Sequence, residues 1–145
     1  MIEKENTVSS DLIYTGKTVS LRVDTVEVPN KGYQKREIVE HNGVVAVIAI
    51  TEDNKIILVK QYRKSIEDVV LEIPGGKLEL NENPRECAIR EFRKKTGYDA
   101  ESFKLIHKFY PSVGFSNQMI FIYLAKKLEK LEDKQEEQQI EIKEI

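Results

Sequence analysis

The chain has 145 residues, 40% of them hydrophobic and 33% charged, which suits a single soluble globular domain over residues 1–145. Its formal net charge of −2, without an isolated Lys/Arg cluster, excludes a dedicated nucleic-acid binder. No apolar run is long enough for a membrane span, the start is polar, and the one cysteine cannot form an internal disulfide, so we expect a cytoplasmic protein.

A β-hairpin is predicted near the amino terminus, within residues 13–42. Apolar and polar residues alternate from Thr18 to Val28, which is the pattern of a half-buried strand. Asn30-Lys31-Gly32 is typical of a turn, so we expect Gln34–Glu40 to return as the second strand.

The central part of the chain predicts three more strands. Val44–Ile50 is continuous and rich in β-branched residues, as in a strand covered on both faces. A turn at Thr51–Lys55 follows, and Ile56–Val59 is the expected partner of the preceding strand. The short apolar segment Val69–Ile73 is a further strand, and Pro74-Gly75-Gly76 is expected to stop it.

The clearest helix is predicted over Pro84–Thr96. Asn83 can cap it, Pro84 suits its first position, and Glu86 stands at the spacing of a capping box. Gly97 is a suitable carboxy-terminal stop. The residues expected to pack into the core lie at helical spacing: Ala88, Ile89 and Phe92.

The carboxy-terminal part begins with a loop and a strand, Met119–Ala125. Residues 126–145 are rich in Lys, Glu and Gln and predict a charged tail. Within this tail Leu128 and Leu131 favour a little helix, and Ile140, Ile142 and Ile145 favour one more strand. Many strands around one strong helix indicate the α+β class, with a mixed sheet sandwich.

The segment Gly76–Tyr98 has the most specific spacing in the chain. Glu82 follows Gly76 after five residues, and the pair Arg90-Glu91 follows after seven more. A hydrophobe, Phe92, and the closing Gly97-Tyr98 complete seven matches to the Nudix box, so the chain resembles the Nudix hydrolases. The alternative, an ordinary amphipathic helix with solvated charges, fits this spacing less well. The resemblance implies the Nudix fold with its loop-helix-loop.

The resemblance also implies a divalent metal site. A diphosphate repels a water nucleophile, so cations must neutralise phosphate charge and acidify the water. Mg²⁺, with Mn²⁺ as the alternative, prefers carboxylate oxygens. Positions 91, 94 and 95 share one helix face, and the resemblance implies a metal platform there that includes Glu91, with Glu82 and Arg90 bracing the loop against the helix.

Two positions of that platform depart from the family pattern, because they hold Lys94 and Lys95 instead of a glutamate pair. A lysine ammonium has donors but no acceptor, so it cannot ligate a metal while protonated. The lysines could attract a pyrophosphate directly, which would keep binding and lose hydrolysis. Surface lysines on a rotated helix are the other interpretation, although the spacing argues against that rotation.

Beyond the box, from about Ile13 to Ala125, the chain most resembles the ADP-ribose pyrophosphatases. Ser20–Asp24 and Lys35–His41 are similar to their amino-terminal strands, a region that contacts adenine and ribose and takes part in a swapped homodimer. Arg36 and Glu37 are therefore candidate substrate contacts, and the alternative is a hairpin edge of mixed charge.

Two central stretches are also similar to that family. Arg63, in Gln61-Tyr62-Arg63, is expected to grip the substrate phosphates with its planar guanidinium. Leu71–Lys77 resembles the signature that leads into the box, where a backbone carbonyl near Gly75 often ligates metal. Glu72 and Glu79 are possible further carboxylates, although glutamates in loops are more often simply solvated.

The last similar stretch is Pro111–Gln118, in which Gln118 stands where a glutamate is common. The resemblance places the catalytic base in a later loop, where Glu136 and Glu137 are the candidates. The histidines lack the spacing of a zinc site, and Cys87 fits helix packing better than nucleophilic chemistry.

Three functions remain open from the sequence. The first is Mg²⁺-dependent hydrolysis of ADP-ribose to AMP and ribose 5-phosphate. The second is nucleotide binding without turnover. The third is hydrolysis of another nucleoside diphosphate derivative, such as a nucleotide sugar. Lys94 and Lys95 are the feature that separates the first from the second.

Overall fold

A computed structural model describes residues 3–132 and, for the backbone, residues 141–144. The contacts divide the chain into two compact units. We call Met1–Asn42 with Tyr110–Met119 the hairpin unit, and Gly43–Phe109 with Ile120–Ile145 the central unit. This division describes contacts within the chain, so the prediction of a single domain over residues 1–145 stays a prediction.

The hairpin unit contains a three-stranded antiparallel sheet in the order β1-β2-β3. Its strands are β1 (Asn6–Thr15), β2 (Ser20–Val28) and β3 (Gly32–Glu40). The predicted hairpin of β2 and β3 is confirmed, and Asn30 and Gly32 adopt the positive φ values of 61° and 74° that its turn requires. Strand β1 was not predicted, because all ten of its residues are exposed and leave no burial pattern.

A buried carboxylate joins the three strands of this sheet. Asp24, only 4% exposed, accepts hydrogen bonds from Ser10 Oγ at 2.7 Å and from Arg22 Nε at 3.1 Å. The Ser10 hydroxyl and then the Arg22 guanidinium lower the pKa of Asp24. Arg22 also forms an ion pair with Glu40, so β1, β2 and β3 are all tied to one charged cluster.

The described residues of the central unit form two sheets and one helix. The four-stranded sheet has the order β7-β4-β9-β8, and the three-stranded sheet has the order β10-β5-β6. The elements are β4 (Val44–Ile50), β5 (Ile57–Arg63), β6 (Asp68–Glu72), β7 (Gly75–Lys77), α1 (Pro84–Thr96), β8 (Tyr98–Phe109), β9 (Ile120–Lys130) and β10 (Glu141–Glu144). These mixed sheets around one helix confirm the predicted α+β class.

The predicted pairing of β5 with β4 is wrong. A single isolated bridge joins Ile50 and Ile56, whereas β4 lies between β7, which is antiparallel to it, and β9, which is parallel. The predicted stop at Pro74-Gly75-Gly76 is confirmed, since β6 ends at Glu72, but Gly75 and Gly76 then begin the short strand β7, which was not predicted. Because Gly75 has no side chain, it can approach the backbone of β4, where an added Cβ would lie 2.3 Å from the Val45 carbonyl oxygen.

Two further expectations were wrong at the carboxy-terminal side of α1. Residues 98–109, predicted as a loop, form the long strand β8, of which only Phe103 is buried. Leu128, predicted to favour helix, lies in β9, which continues to Lys130. The predicted last strand is confirmed by β10, which pairs with β5.

The helix α1 follows its sequence signals. Asn83 Oδ1 accepts from the backbone nitrogens of Arg85 at 2.9 Å and Glu86 at 3.3 Å, and Gly97 ends the helix at φ 70°. Phe92 is fully buried and meets Phe103 edge to face at 5.7 Å between ring centroids. The core around it comprises Val45, Val47, Ala49, Ile57, Leu78, Cys87, Ala88, Tyr123 and Ala125, with Ile89 partly buried against it. No helix in residues 3–132 or 141–144 has the length and apolarity that a membrane crossing requires.

Candidate functional site

The carboxylate of Glu91 lies against the backbone of Gly76. Glu91 is only 7% exposed, and a Cβ built on Gly76 would lie 2.2 Å from Glu91 Oε2. The close approach, not a positive φ, is therefore what requires glycine at this position. It fixes one acidic side chain of α1 at the point where the short strand β7 leads into the loop before the helix.

An ion pair fastens that loop to the helix. Arg90 on α1 donates from Nε to Glu82 Oε1 and from Nη2 to Glu82 Oε2, both at 2.9 Å. This is the contact that the sequence predicts between the two residues. The Arg90 guanidinium lowers the pKa of Glu82 to about 2, and Glu82 also accepts from the backbone nitrogen of Glu79 at 2.9 Å. Arg90 makes a second ion pair with Glu91.

A second carboxylate, Glu72 at the end of β6, is the centre of another cluster. Arg63 on β5 donates to it from Nη2 at 2.6 Å and from Nε at 3.0 Å, and Gln61 Nε2 donates at 2.6 Å. Burial works to raise the pKa of Glu72, but these hydrogen bonds and the charge of Lys95 lower it overall. Glu72 was predicted only as a possible further carboxylate, because its partners are brought to it by the pairing of β5 with β6.

The two lysines of α1 have different surroundings. Lys95 is partly buried, and its positive charge helps to lower the pKa of Glu72. Lys94 is exposed. The charge of Lys95 on α1 therefore acts on the Glu72 carboxylate of β6, and the platform at positions 91, 94 and 95 stays a prediction.

The side chains described at this site fit a divalent metal poorly. Among the residues that the structure describes, no three His, Cys, Asp or Glu side chains form a group that could hold an ion. Glu91 and Glu72 are each paired with an arginine, and Lys95 brings a positive charge. Mg²⁺ is bound by oxygen atoms, whereas the lysine ammonium groups only donate hydrogen bonds and cannot ligate a metal.

The remaining predicted site residues belong to the hairpin unit or lie outside the described part. Arg36 and Glu37 belong to the hairpin unit, where Arg36 donates to Glu5 at 2.5 and 2.9 Å and Glu37 is exposed. The Arg36 guanidinium lowers the pKa of Glu5. Glu136 and Glu137 lie outside the described residues. Cys87 is buried in the core, and burial raises the pKa of its thiol to about 12, so it is not a nucleophile at neutral pH.

Known proteins resemble this chain in sequence and in fold. The NUDIX domain family model matches residues 40–145. An ADP-ribose pyrophosphatase of Bacillus subtilis (strain 168) is 44% identical over 142 residues, which cover 98% of this chain and 77% of the relative. A methanol dehydrogenase activator of Bacillus methanolicus is 48% identical over 130 residues, covering 90% and 70%. The crystal structure of an ADP compounds hydrolase has the same fold, with a TM-score of 0.85 at 17% identity, covering 99% of this chain and 79% of that one.

The two adjacent glycines should respond differently to alanine. At Gly75 the new Cβ would meet the Val45 backbone oxygen at 2.3 Å, so we expect the free energy of unfolding to fall by about 2 kcal/mol. At Gly76 the three atoms nearest to the new Cβ belong to the Glu91 side chain. The decrease in the free energy of unfolding should therefore be smaller than at Gly75, and it should disappear in a Glu91→Ala background. Urea unfolding of Gly75→Ala, Gly76→Ala, Glu91→Ala and the double variant of Gly76→Ala with Glu91→Ala measures both losses. If Gly76→Ala destabilises the protein equally with and without the Glu91 side chain, the predicted contact is contradicted.

The ion pair of Glu82 should make stability depend on pH. Its pKa lies at about 2 in the folded protein, below the ordinary value of 4.5, so its stabilisation is complete above about pH 5 and is lost as pH falls through 4.5 towards 2. Because Arg90 is 40% exposed, we expect Glu82→Gln to cost only about 1 kcal/mol at neutral pH.

Thermal unfolding of Glu82→Gln and the unaltered protein should therefore converge between about pH 5 and about pH 2. Glu79→Gln is the matched control, because it changes an exposed side chain of the same loop and keeps the hydrogen bond from the Glu79 backbone nitrogen to Glu82. A difference between Glu82→Gln and the unaltered protein that stays constant at low pH would disprove this contribution.

Proposed function

The chain belongs to the Nudix family, and on that premise we propose that it hydrolyses ADP-ribose, or a related nucleoside diphosphate derivative, to AMP and a sugar phosphate. The observation that carries this proposal is the braced loop and helix, in which Glu82 and Arg90 hold Glu91 against Gly76 within the matched family segment. The likeness to an ADP-ribose pyrophosphatase over nearly the whole chain supports the substrate class.

Arg63 is the proposed phosphate-binding residue of this activity. Its guanidinium already makes a forked contact with the Glu72 carboxylate, and a phosphate offers the same fork an equivalent pair of oxygens. We assign the nucleoside contacts to Arg36 and Glu37, and the catalytic base to Glu136 or Glu137, from the family resemblance. The backbone carbonyl near Gly75 and the Glu91 carboxylate are the proposed metal contacts.

Nudix hydrolases generally use divalent metal ions, and Mg²⁺, or alternatively Mn²⁺, is the ion that we propose for turnover here. The side chains described above fit such an ion poorly, because Lys94 and Lys95 occupy two of the three positions, 91, 94 and 95, at which the family pattern has glutamate. We therefore expect turnover to be weak. The same observation favours the second candidate function, a nucleotide-binding protein of this fold that has lost catalysis.

Restoring acids at the two lysine positions should strengthen hydrolysis. We expect Lys94→Glu combined with Lys95→Glu to raise metal-dependent release of AMP from ADP-ribose by at least about 100-fold, because metal activation supplies several kcal/mol of transition-state stabilisation. Glu91→Gln in that background should abolish most of the gain. Chromatographic measurement of AMP with Mg²⁺ or Mn²⁺ present tests both.

The charge-matched control for this experiment is Lys104→Glu with Lys108→Glu, since both lysines are exposed on β8. It should leave the rate of hydrolysis unchanged. If the unaltered protein already hydrolyses ADP-ribose as fast as the double variant at positions 94 and 95, the lysines lie outside the metal platform and our explanation of the departure fails.

We also propose a cytoplasmic homodimer in which Thr18–Glu40 reaches the other subunit. The exposed apolar side chains of the hairpin unit support an interface there, since Leu12 on β1 is 64% exposed and Tyr33 on β3 is 69% exposed. Sedimentation at micromolar concentration should give a dimer. Leu12→Glu should weaken association about tenfold or more, whereas Ser9→Glu on the same strand should have less effect. A monomer at that concentration would refute the proposal.

A further inference from the structure

We infer that this site binds a diphosphate group without a divalent cation, using the ammonium groups of Lys94 and Lys95 where the family pattern has metal-binding carboxylates. This inference deepens the proposed function and rests on it for the location of the substrate diphosphate. It concerns binding, whereas the proposed function concerns turnover, so the two can be tested separately.

The charges of two clusters, Arg90 with Glu82 and Glu91 and Arg63 with Glu72, counted together with positions 94 and 95, support direct binding of an anion. With lysine at positions 94 and 95, four cationic side chains accompany three carboxylates, so the group carries one net positive charge. With glutamate at both positions, two cations would accompany five carboxylates, and a diphosphate would be repelled unless metal ions intervened. The side chains counted are Arg63, Arg90, Lys94, Lys95, Glu72, Glu82 and Glu91.

The surroundings of Glu72 indicate where an anion is stabilised. This carboxylate receives hydrogen bonds from Arg63 and Gln61 and a favourable electrostatic interaction from Lys95. Arg63 and Gln61 therefore converge on one anionic group at the end of β6, and the charge of Lys95 acts on the same group. A phosphate oxygen has the same requirements as a carboxylate oxygen, so the donors that hold Glu72 are chemically suited to hold a diphosphate.

Lys95 differs from a solvated surface lysine because it is partly buried and its charge already acts on a carboxylate of another element. Lys94 is exposed one residue earlier on α1, within one turn of Glu91. An ammonium group donates hydrogen bonds to phosphate directly and needs no ordered water or fixed coordination number. Loss of the metal platform is therefore compatible with retention of diphosphate recognition.

Titration calorimetry with the metal removed by EDTA tests the inference directly. We expect ADP-ribose and inorganic pyrophosphate each to bind the unaltered protein, with affinity that falls as salt concentration rises. Lys94→Gln with Lys95→Gln should weaken binding by about tenfold or more, since charge-assisted hydrogen bonds are lost. Lys94→Glu with Lys95→Glu should bind neither compound in EDTA and should bind ADP-ribose when Mg²⁺ is supplied.

The control is Lys104→Gln with Lys108→Gln on β8, which removes the same charge and should bind as the unaltered protein does. Circular dichroism establishes that each variant is folded before titration. If neither compound binds in EDTA, or if the glutamine variant at positions 94 and 95 binds as tightly as the control, the inference is wrong. Binding of pyrophosphate but not of ADP-ribose supports the diphosphate site and contradicts the proposed substrate.

Hydrolysis separates the two proposals further. If the glutamate variant fails to cleave any nucleoside diphosphate derivative while the unaltered protein binds pyrophosphate through its lysines, the proposed function fails and the inference stands. If the glutamate variant gains hydrolysis but the unaltered protein does not bind without metal, the inference fails and the proposed function stands.

Discussion

The ion pair between Glu82 and Arg90 is the constraint on which the rest of the site depends. It ties the loop that precedes α1 to the middle of the helix, and through the second contact of Arg90 it also reaches Glu91. Glu91 in turn lies against Gly76 in β7, and β7 is paired with β4 in the centre of its sheet. A single guanidinium therefore connects the loop, the helix and the sheet, and a shift of Arg90 would move the one acid that remains on the platform.

Glu91 and Glu72, two acids of the site, are neutralised in the same manner. Glu91 is paired with Arg90, and Glu72 is paired with Arg63, so neither carboxylate requires a metal ion to offset its charge. The change to lysine at positions 94 and 95 then has a larger effect than the loss of two ligands. It also makes the helix face repel cations, and the charge of Lys95 adds to that of Arg63 in lowering the pKa of Glu72.

Local sequence signals predicted the parts of the fold that are fixed by local physics. The helix from Pro84 to Thr96 has its cap, its apolar spacing and its glycine stop within the segment itself, and all three are present in the structure. Strands β1 and β8 escaped prediction because most of their side chains are exposed and leave no clear burial pattern, although each pairs with the next strand along the chain. The electrostatic influence of Lys95 on Glu72 was missed for a different reason, since the two residues belong to separate elements, α1 and β6.

Recognition and turnover place different demands on such a site, and this difference explains how one fold can keep the first while the second weakens. A diphosphate is recognised by charge and by hydrogen-bond donors, which Arg63 and lysines can supply from flexible side chains. Cleavage requires cations held at fixed positions relative to an attacking water, which only a set of oxygen ligands on a rigid element can supply. The helix α1 is that rigid element, and its caps and core contacts do not involve positions 94 and 95. The exchange of acids for lysines there can therefore alter the chemistry of the site without disturbing the scaffold that presents it.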